Sequence, residues 1–299
     1  MRGARHGKKH CKNMTIGFIG QGFIGKNYAD DFERRGLSVV RYALEPQYAA
    51  NKEKIAQCDI VFIAVPTPTT PQGFDDSILR TVLSLVGAGK TAVIKSTTYP
   101  GTVKKLQADF RDRTILHSPE FLAEKTAAED AANPKRNIVG IPEKSEAYHA
   151  KAQAVLAILP QAPYELIADS TETELIKYAG NAFLFFKVLY GNLFYDIAQS
   201  LGMDYDVVRT AIGADPRIGP SHLRVVDSSG HEGALAGRGA GGHCLIKDFA
   251  ALRQLYEEVL PKDKKGSALL HAFEEKNAAL LKESGKDLDL LRGVYGDAA

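Results

Sequence analysis

A chain of 299 residues with a formal net charge of +2 at pH 7 has no charge excess that would favour nucleic acid or a membrane surface as a partner. Its apolar and charged fractions, 44% and 25%, are those of an ordinary soluble globular protein with one large domain or two smaller ones. The three cysteines are widely spaced, which favours a reducing, cytoplasmic setting over a disulfide framework or a metal site, and no apolar run approaches the ~20 residues of a membrane span.

The first 13 residues are basic and contain no apolar segment, so they do not form a secretory signal. We predict a disordered leader over residues 1–13, with Met14 as the natural start. A nucleic-acid-binding arm is the alternative interpretation of these positive charges.

The first predicted strand, Thr15–Ile19, is followed at once by a glycine pattern and a helical stretch. Glycines spaced G-x-G-x-x-G between a strand and a helix allow a tight turn, close approach of the backbone to a pyrophosphate, and tight packing of the helix on the strand. The helix N-terminus then receives the negative charge of the phosphates. We therefore predict a dinucleotide site at Gly20, Gly22, Phe23, Ile24 and Gly25.

The second predicted strand, Ser38–Tyr42, should end in an acidic residue that accepts hydrogen bonds from the ribose hydroxyls. Ala43 stands there instead, with Glu45 two residues further on and Arg41 nearby. Because the carboxylate of Glu45 would repel a 2′-phosphate, the sequence favours NAD over NADP. A side chain of Arg41 that points towards the cofactor would reverse this preference.

Apolar runs over residues 59–65, 91–95 and 114–117 read as buried parallel strands, and further strands are predicted at 137–141 and 164–168. Strands that alternate with helices predict an α/β fold with a Rossmann-like, doubly wound parallel sheet. Ligands bind such sheets beyond the carboxyl ends of the strands, where Pro66, Thr97 and Glu120 fall.

From Thr171 the pattern changes to helical periodicity that runs to about residue 201, and Thr171 with Glu174 predicts a capping box. The middle of this helix, residues 182–190, is apolar nearly all round, so we expect it to be buried in a helical domain. Lys177 and Asn181 share one face of the helix. The simpler interpretation of the pair is a surface lysine and a solvated asparagine. The predicted domains are 14–169, 170–281 and a C-terminal tail over 282–299.

A glycine-rich loop from Gly237 ends in Cys244, Lys247 and Asp248 and leads into a helical run. A thiol at the start of a helix gains from the positive end of the helix dipole and from a neighbouring lysine, and both favour the nucleophilic thiolate. The alternative is a buried, inert cysteine beside a flexible loop.

Together these segments resemble the nucleotide-sugar 6-dehydrogenases, the UDP-glucose and GDP-mannose dehydrogenase family, over about residues 14–280. The matching motifs, in the family's order, are Gly20-x-Gly22-x-x-Gly25, Val65-Pro66-Thr67-Pro68-Thr69, Lys95-Ser96-Thr97, Ser118-Pro119-Glu120-Phe121-Leu122-Ala123-Glu124, Glu174-Leu175-x-Lys177-x-x-x-Asn181-Ala182-Phe183, Arg217-Ile218-Gly219 and Gly241-Gly242-x-Cys244-x-x-Lys247-Asp248.

The resemblance implies a homodimeric enzyme that oxidises the primary alcohol of a nucleotide-sugar, UDP-glucose or a relative, to a carboxylate in an NAD-dependent, four-electron reaction. By this resemblance Cys244 captures the intermediate aldehyde as a thiohemiacetal, which a second hydride transfer converts to a thioester. Lys177 and Asn181 stabilise developing oxyanions, and Asp248 assists proton transfer. Glu120 assists hydrolysis of the thioester. These residue types suit the roles: a thiol is a soft nucleophile, an ammonium and an amide can stabilise an alkoxide, and carboxylates can transfer protons.

The resemblance also assigns a residue set to each part of the site. The implied catalytic residues are Cys244, Lys177, Asn181, Asp248, Glu120 and Thr97, of which Thr97 positions the catalytic water. The implied cofactor-binding residues are Gly20, Gly22, Phe23, Ile24, Gly25, Glu45, Pro66, Thr67, Thr97, Glu124 and Lys247. The implied substrate-binding residues are Glu120, Phe121, Leu122, Lys177, Asn181, Arg217 and Gly241.

Three features depart from the family pattern. Ala43 replaces the ribose-binding acid, and an insertion around residues 225–236 separates Arg217 from the glycine-rich loop that ends in Cys244. Family members also continue into a second α/β domain that binds the nucleotide, so we expect a short form that lacks it.

Two other functions stay open. A two-electron β-hydroxyacid dehydrogenase shares the Rossmann domain, the long helix and the lysine–asparagine pair, but a single oxidation needs no thiol such as Cys244. A non-catalytic dinucleotide-binding protein would have no use for the retained Cys244, Lys177 and Asp248.

Overall fold

The computed structural model describes residues 14–296, so the predicted leader, residues 1–13, lies outside the described residues. The chain divides into two compact units. The first comprises residues 14–67 and 75–177, and the second comprises 68–74 and the chain from 178 onward. The division after Lys177 lies eight residues beyond the sequence-based boundary at 169, because the long helix begins in one unit and continues into the other.

The first unit is built on a seven-stranded sheet of order β2-β1-β3-β6-β7-β8-β9. Its strands are β1 (Thr15–Ile19), β2 (Ser38–Tyr42), β3 (Ile60–Ile63), β6 (Thr91–Ile94), β7 (Thr114–His117), β8 (Arg136–Ile141) and β9 (Tyr164–Asp169), while β4 (Thr69–Thr70) and β5 (Gly73–Phe74) form a small hairpin in the second unit. The helices of the first unit are α1 (Phe23–Arg34), α2 (Pro46–Ala49), α3 (Lys52–Ile55), α4 (Ser77–Leu83), α5 (Thr102–Asp109), α6 (Ala127–Ala132) and α7 (Glu146–Ile158).

The prediction of a Rossmann-like α/β fold is confirmed, but the sheet is not wholly parallel. Strand β8 pairs with β7 in the antiparallel direction, at His117 and Gly140, and then pairs with β9 in parallel. The connection from β7 to β8 contains two short elements, a 3-10 turn over Glu124–Thr126 and the six-residue helix α6. Such a helix rises about 9 Å, too little to return the chain along a strand for a parallel crossover. The last two strands therefore run opposite to the other five.

The core of the first unit follows from alternation along the strands. Ile16 and Phe18 of β1 pack into one apolar cluster, whereas Ile19 belongs to the cluster on the opposite face of the sheet. Phe18, Phe32 and Phe62 pack against one another with ring centroids 5.1–5.3 Å apart. Both faces of the central strands are thus covered, as expected for parallel strands between helices.

The second unit is mainly helical. Its elements are the greater part of α8 (Ser170–Ser200), α9 (Tyr205–Gly213), α10 (Gly242–Val259), α11 (Lys264–Ser284), α12 (Leu288–Tyr295) and a two-stranded ribbon of β10 (Asp227–Ser228) and β11 (Ala236–Gly237). Phe185 of α8 stacks on Phe249 of α10 at 3.8 Å, and Leu280 of α11 joins the same core. The segment expected to be a C-terminal tail instead contributes α12, which packs Leu291 against Ile246.

Helix α8 has 31 residues and differs from expectation at its start and in its middle. The capping box lies at Asp169 and Glu172: Asp169 accepts from the Thr171 N–H, and Glu172 accepts from the Asp169 N–H. Glu174, expected in that role, accepts instead from the backbone N–H groups of Gly101 and Val103 at the start of α5.

The apolar middle of α8 is not buried all round. Phe185 and Leu189 are buried, but Phe183 is 63% exposed and Tyr190 is 41% exposed. A helix packed on one side covers only one stripe of its surface, so these side chains form a second, open stripe. Over residues 14–296, no helix is both long enough and apolar enough to span a membrane.

Candidate functional site

The turn between β1 and α1 has the geometry that a pyrophosphate site requires. Gly20 has a left-handed backbone with φ of 88°, and a Cβ there would lie 2.1 Å from the carbonyl oxygen of Ala64. A Cβ on Gly25 would lie 1.9 Å from the carbonyl oxygen of Gly20, so this glycine permits close packing of helix on strand. A Cβ on Gly22 would meet nothing within 4 Å. The space above Gly22, at the start of α1, is therefore open to a ligand, and Phe23 beside it is 39% exposed.

At the end of β2, the two charged residues of interest differ in their surroundings. The guanidinium of Arg41 is held by Asp30 and Glu33, each at 2.7 Å. Glu45 is exposed and precedes the short helix α2. The positive charge of Arg41 is thus already balanced by two carboxylates, which leaves little of it for a 2′-phosphate.

The loops after β3 and β6 are joined by hydrogen bonds. The hydroxyl of Thr67 donates to the carbonyl oxygen of Thr97 at 2.7 Å, and Ser96 donates to the carbonyl oxygen of Val65 at 2.7 Å. Thr67 and Thr97 are buried and Pro66 is exposed. Because β3 and β6 are parallel neighbours, these residues lie together at the carboxyl edge of the sheet, as predicted.

Lys177 and Glu120 form a buried ion pair. The ammonium of Lys177 donates to Glu120 Oε1 at 2.8 Å and to the Glu120 carbonyl oxygen at 2.9 Å, and both side chains are less than 7% exposed. The other carboxylate oxygen of Glu120 accepts from the Leu122 N–H at 2.7 Å. The ring of Phe121 lies 5.6 Å from the ammonium of Lys177. Lys177 is therefore not the surface lysine of the simpler interpretation.

A second buried lysine lies near this pair. Lys95 donates to the carbonyl and hydroxyl oxygens of Ser118 at 2.9 and 3.1 Å, and its ammonium lies 4.3 Å from the centre of the Tyr28 ring. Burial lowers the pKa of Lys95 to about 7, an effect that Glu120 opposes and Lys177 reinforces. Lys95 was not predicted as a site residue, although an ionisable residue directly after the buried strand β6 was a usable sign.

In the second unit, Asp248 connects two other predicted residues. Asn181 donates to one carboxylate oxygen of Asp248 at 2.5 Å, and the ammonium of Lys247 pairs with the other. Asp248 is 1% exposed. Cys244 is exposed in the first turn of α10, one helical turn before Asp248. Cys244 is therefore not buried, contrary to the alternative interpretation, whereas the second described cysteine, Cys58, is buried.

Two further predicted residues have different environments. Arg217 is exposed, and its guanidinium pairs with Asp215 at 2.6 Å. The adjacent Ile218 and Gly219 are held through their carbonyl oxygens by the ammonium of Lys187, at 2.8 and 2.9 Å. Lys187 was not predicted as part of the site. A lysine within the apolar run of α8 was the available sign. Glu124 lies in a short 3-10 turn at residues 124–126.

Comparison with known proteins relates both units to one family. Residues 43–158 match the NAD binding domain of the UDP-glucose/GDP-mannose dehydrogenase family, and residues 171–279 match its central domain. The putative UDP-glucose 6-dehydrogenase YtcA of Bacillus subtilis (strain 168) is 33% identical over 220 residues, which cover 69% of this chain and 48% of that protein. The chain spans about half the length of the curated relatives it matches.

Solved structures share the fold. A UDP-glucose dehydrogenase from Pyrobaculum islandicum has a TM-score of 0.73 at 26% identity, over 89% of this chain and 69% of that one. A 3-hydroxyisobutyrate dehydrogenase from Mycobacterium tuberculosis has a TM-score of 0.66 at 17% identity, over 96% of this chain and 99% of that one. The second likeness concerns the fold alone.

Because Lys95 is buried, the free energy of unfolding should depend on pH above neutrality. Its lowered pKa means that the folded state binds fewer protons than the unfolded chain between about pH 7 and pH 10.5, so stability rises with pH in this range. We expect the free energy of unfolding of the wild type to rise relative to Lys95→Met by about 2–4 kcal/mol between pH 7 and pH 10. Urea denaturation at each pH measures this difference. Lys135→Met, at an exposed lysine, serves as the control. If the difference in unfolding free energy between the wild type and Lys95→Met were as independent of pH as the difference for the control, the lowered pKa of Lys95 would be contradicted.

Proposed function

Because the chain belongs to the UDP-glucose/GDP-mannose dehydrogenase family, we propose that it catalyses the NAD-dependent, four-electron oxidation of a nucleotide-sugar's primary alcohol to the uronic acid. The observation that carries the proposal is the exposed thiol of Cys244 in the first turn of α10, one turn before an Asp248 that also binds Asn181. A two-electron alcohol oxidation requires no such nucleophile.

The residues at the β1–α1 turn fit a dinucleotide. The positive φ of Gly20, the open space at Gly22 and the close packing at Gly25 match the three demands of a pyrophosphate-binding turn. Phe23, Ile24, Glu45, Pro66, Thr67, Thr97, Glu124 and Lys247 complete the proposed cofactor set. NAD held by these residues would supply the hydride acceptor for each of the two oxidations.

The buried Lys177–Glu120 pair suits charge stabilisation and water activation. An ammonium held in a desolvated place stabilises a developing alkoxide more strongly than it would in water. We assign Lys177 to the oxyanion, together with Asn181. We assign Glu120 to activation of the water that hydrolyses the thioester, with Thr97 positioning that water.

Cys244 supplies the covalent step. Its thiolate adds to the aldehyde carbon and the oxygen becomes the alkoxide of a thiohemiacetal. Loss of hydride from this species gives a thioester. Addition of water and departure of the thiolate then release the acid and regenerate Cys244. Asp248, buried and bound to Asn181 and Lys247, is positioned to exchange protons along this sequence.

We assign the substrate contacts to Glu120, Phe121, Leu122, Lys177, Asn181, Arg217 and Gly241. The Bacillus subtilis and Pyrobaculum islandicum proteins are UDP-glucose dehydrogenases by their names, which makes UDP-glucose the first substrate to assay. Arg217 is the exposed cation of this set, since its side chain is 88% exposed even while paired with Asp215. A guanidinium in such a place can bind phosphate oxygens bidentately.

We also propose a homodimer that forms through α8. Phe183, Tyr190, Phe194 and Ile197 are exposed at spacings of seven, four and three residues, so they share one face of the helix. An open apolar stripe of this kind is typical of a helix that packs against another helix.

Charge on this stripe should dissociate the dimer. We expect Ile197→Glu to convert a dimer into a monomer, because the carboxylate would be buried without a partner. Gln199→Glu adds the same charge at an exposed position of α8 outside this stripe and should leave the dimer intact. Sedimentation equilibrium gives the molecular mass of each variant, and a monomeric wild type would refute the proposal.

The role of Cys244 is tested by stoichiometry. The wild type should form two moles of NADH per mole of acid. Cys244→Ala should form no acid, and Cys244→Ser should stall at a slowly hydrolysed ester, because an alkoxide is far harder to generate than a thiolate near neutral pH. Cys58→Ala, which removes the other described thiol, should keep the wild-type ratio. Undiminished acid formation by Cys244→Ala would exclude a covalent role, and one NADH per product would favour a two-electron dehydrogenase.

The cofactor site is tested by two neighbouring glycines. Gly22→Ala should weaken NAD binding on the order of tenfold, about 1.4 kcal/mol, with little change in Tm, because its methyl group fills only the proposed ligand space. Gly25→Ala should lower Tm, because its methyl group overlaps the backbone of Gly20. Calorimetric titration and thermal unfolding separate the two effects.

The same preparations decide the choice of cofactor. Because Arg41 is paired with Asp30 and Glu33, kcat/KM should be higher for NAD than for NADP. A clear preference for NADP would overturn this assignment.

A further inference from the structure

The backbone of the glycine-rich segment 237–242, here called the cysteine loop, is held by side chains from the end of α11 and the residues after it. Asn277 pairs with both the N–H and the carbonyl of Ala240, at 2.7 and 3.0 Å. Ser284 accepts from the Arg238 N–H at 3.0 Å, and the ammonium of Lys286 donates to the Gly239 carbonyl oxygen at 3.0 Å. Irregular backbone that is removed from water needs such partners.

Asp287 makes the contact nearest to Cys244. One of its carboxylate oxygens accepts from the Gly242 N–H at 2.7 Å, and this is the residue at which α10 begins. The same oxygen accepts from the hydroxyl of Ser229. A Cβ on Gly241 would lie 2.1 Å from this oxygen, so a glycine at that position admits the carboxylate.

The other carboxylate oxygen of Asp287 binds His231. The distance from His231 Nε2 is 2.9 Å, and Nδ1 of the same ring lies 3.0 Å from the Glu232 carbonyl oxygen. Both ring nitrogens therefore face oxygen atoms that can only accept. An imidazole satisfies two such acceptors only when it carries both protons, so the geometry favours an imidazolium paired with the Asp287 carboxylate.

Within the cluster, the side chain of Asp287 is buried, whereas Ser229 and His231 are half-buried. The Asp287 side chain is 1% exposed, and its backbone is left-handed with φ of 52°, a conformation that disfavours residues other than glycine. Burial alone would raise the pKa of Asp287, but the hydrogen bonds from Ser229, His231 and the Gly242 N–H hold it below its usual value. The carboxylate is thus ionised at neutral pH.

Other charged and titratable groups surround the cluster. The ring of His243 on α10 lies 5.0 Å from that of His231. The ammonium of Lys286 binds carbonyl oxygens of the cysteine loop, and Lys247 is paired with Asp248 one turn into α10. None of the cluster residues Ser229, His231 and Asp287 falls in a motif of the family, and Asp287 lies beyond the matched residues 171–279.

We propose that Asp287, balanced by the imidazolium of His231, is a positioning residue for Cys244 that fixes the first turn of α10 and sets the ease with which the thiolate forms. A carboxylate at a helix N-terminus competes with a thiolate two residues further on for the same positive end of the helix dipole. The charge of His231 offsets that competition. The inference rests on the proposed function, because it assigns Asp287 and His231 to the nucleophile of that reaction.

The test compares variants that change charge with little change of shape. Asp287→Asn keeps an oxygen for the Gly242 N–H and offers an N–H to His231. His231→Gln can still donate to Asp287 but cannot carry a charge. Alkylation of Cys244 by iodoacetamide, followed by mass spectrometry of the peptide that contains it, gives a rate constant for each variant between pH 5.5 and pH 9.5.

At neutral pH, we expect His231→Gln to slow alkylation roughly two- to fivefold and Asp287→Asn to accelerate it by a similar factor, the range of a single charge at a helix end. In the double variant the rate should equal that of Asp287→Asn, because His231 acts through Asp287. His271→Gln, which makes the same substitution at a histidine paired with Glu257 in the same unit, should leave the rate unchanged.

Equal alkylation rates in all variants would overturn the inference, as would a double variant in which the two effects simply add. If both single variants lost Tm and thiol reactivity together, the cluster would have only a structural role, and this result would also contradict the inference. The outcome is independent of product analysis: if the wild type formed one NADH per product, the proposed four-electron oxidation would fail, while the effect of Asp287 on the thiol could still be measured.

Discussion

The buried ion pair between Lys177 and Glu120 is the interaction on which the arrangement of the first unit depends. Two charges removed from water are tolerated only when each has a close partner and its remaining hydrogen bonds are met. Lys177 meets this demand with the carboxylate and the carbonyl of Glu120, and Glu120 with Lys177 and the Leu122 N–H. The start of α8 is thereby fixed to the loop that follows β7.

A related constraint shapes the second unit. The cysteine loop contains several glycines, which give it freedom to approach a ligand but cost conformational entropy on ordering. Side chains of Asn277, Ser284, Lys286 and Asp287 bind its backbone directly. The backbone of this loop and of the first residue of α10 therefore finds hydrogen-bond partners within the protein itself.

The sites of the two units contain buried charges of different kinds. Lys95 is held by neutral oxygens of Ser118 and a tyrosine ring, so its pKa falls towards neutrality. Asp287 is held by donors, so its carboxylate stays ionised despite burial. The nature of the partner, rather than burial itself, decides which of them keeps its charge at neutral pH.

The fold class, the glycine turn at residues 20–25, the long helix and the edge of the sheet where Thr67 and Thr97 meet could all be predicted from residue patterns. These features depend on periodicity and on residue types that are local along the chain. Local pattern did not predict that β8 runs antiparallel to β7. It also misplaced the capping box of α8, which is formed by Asp169 and Glu172 and not by Thr171 and Glu174. It also missed Lys95, Lys187 and Asp287. Their roles depend on partners 23, 31 and 45 residues away along the chain, and only tertiary structure brings a buried charge to the group that satisfies it.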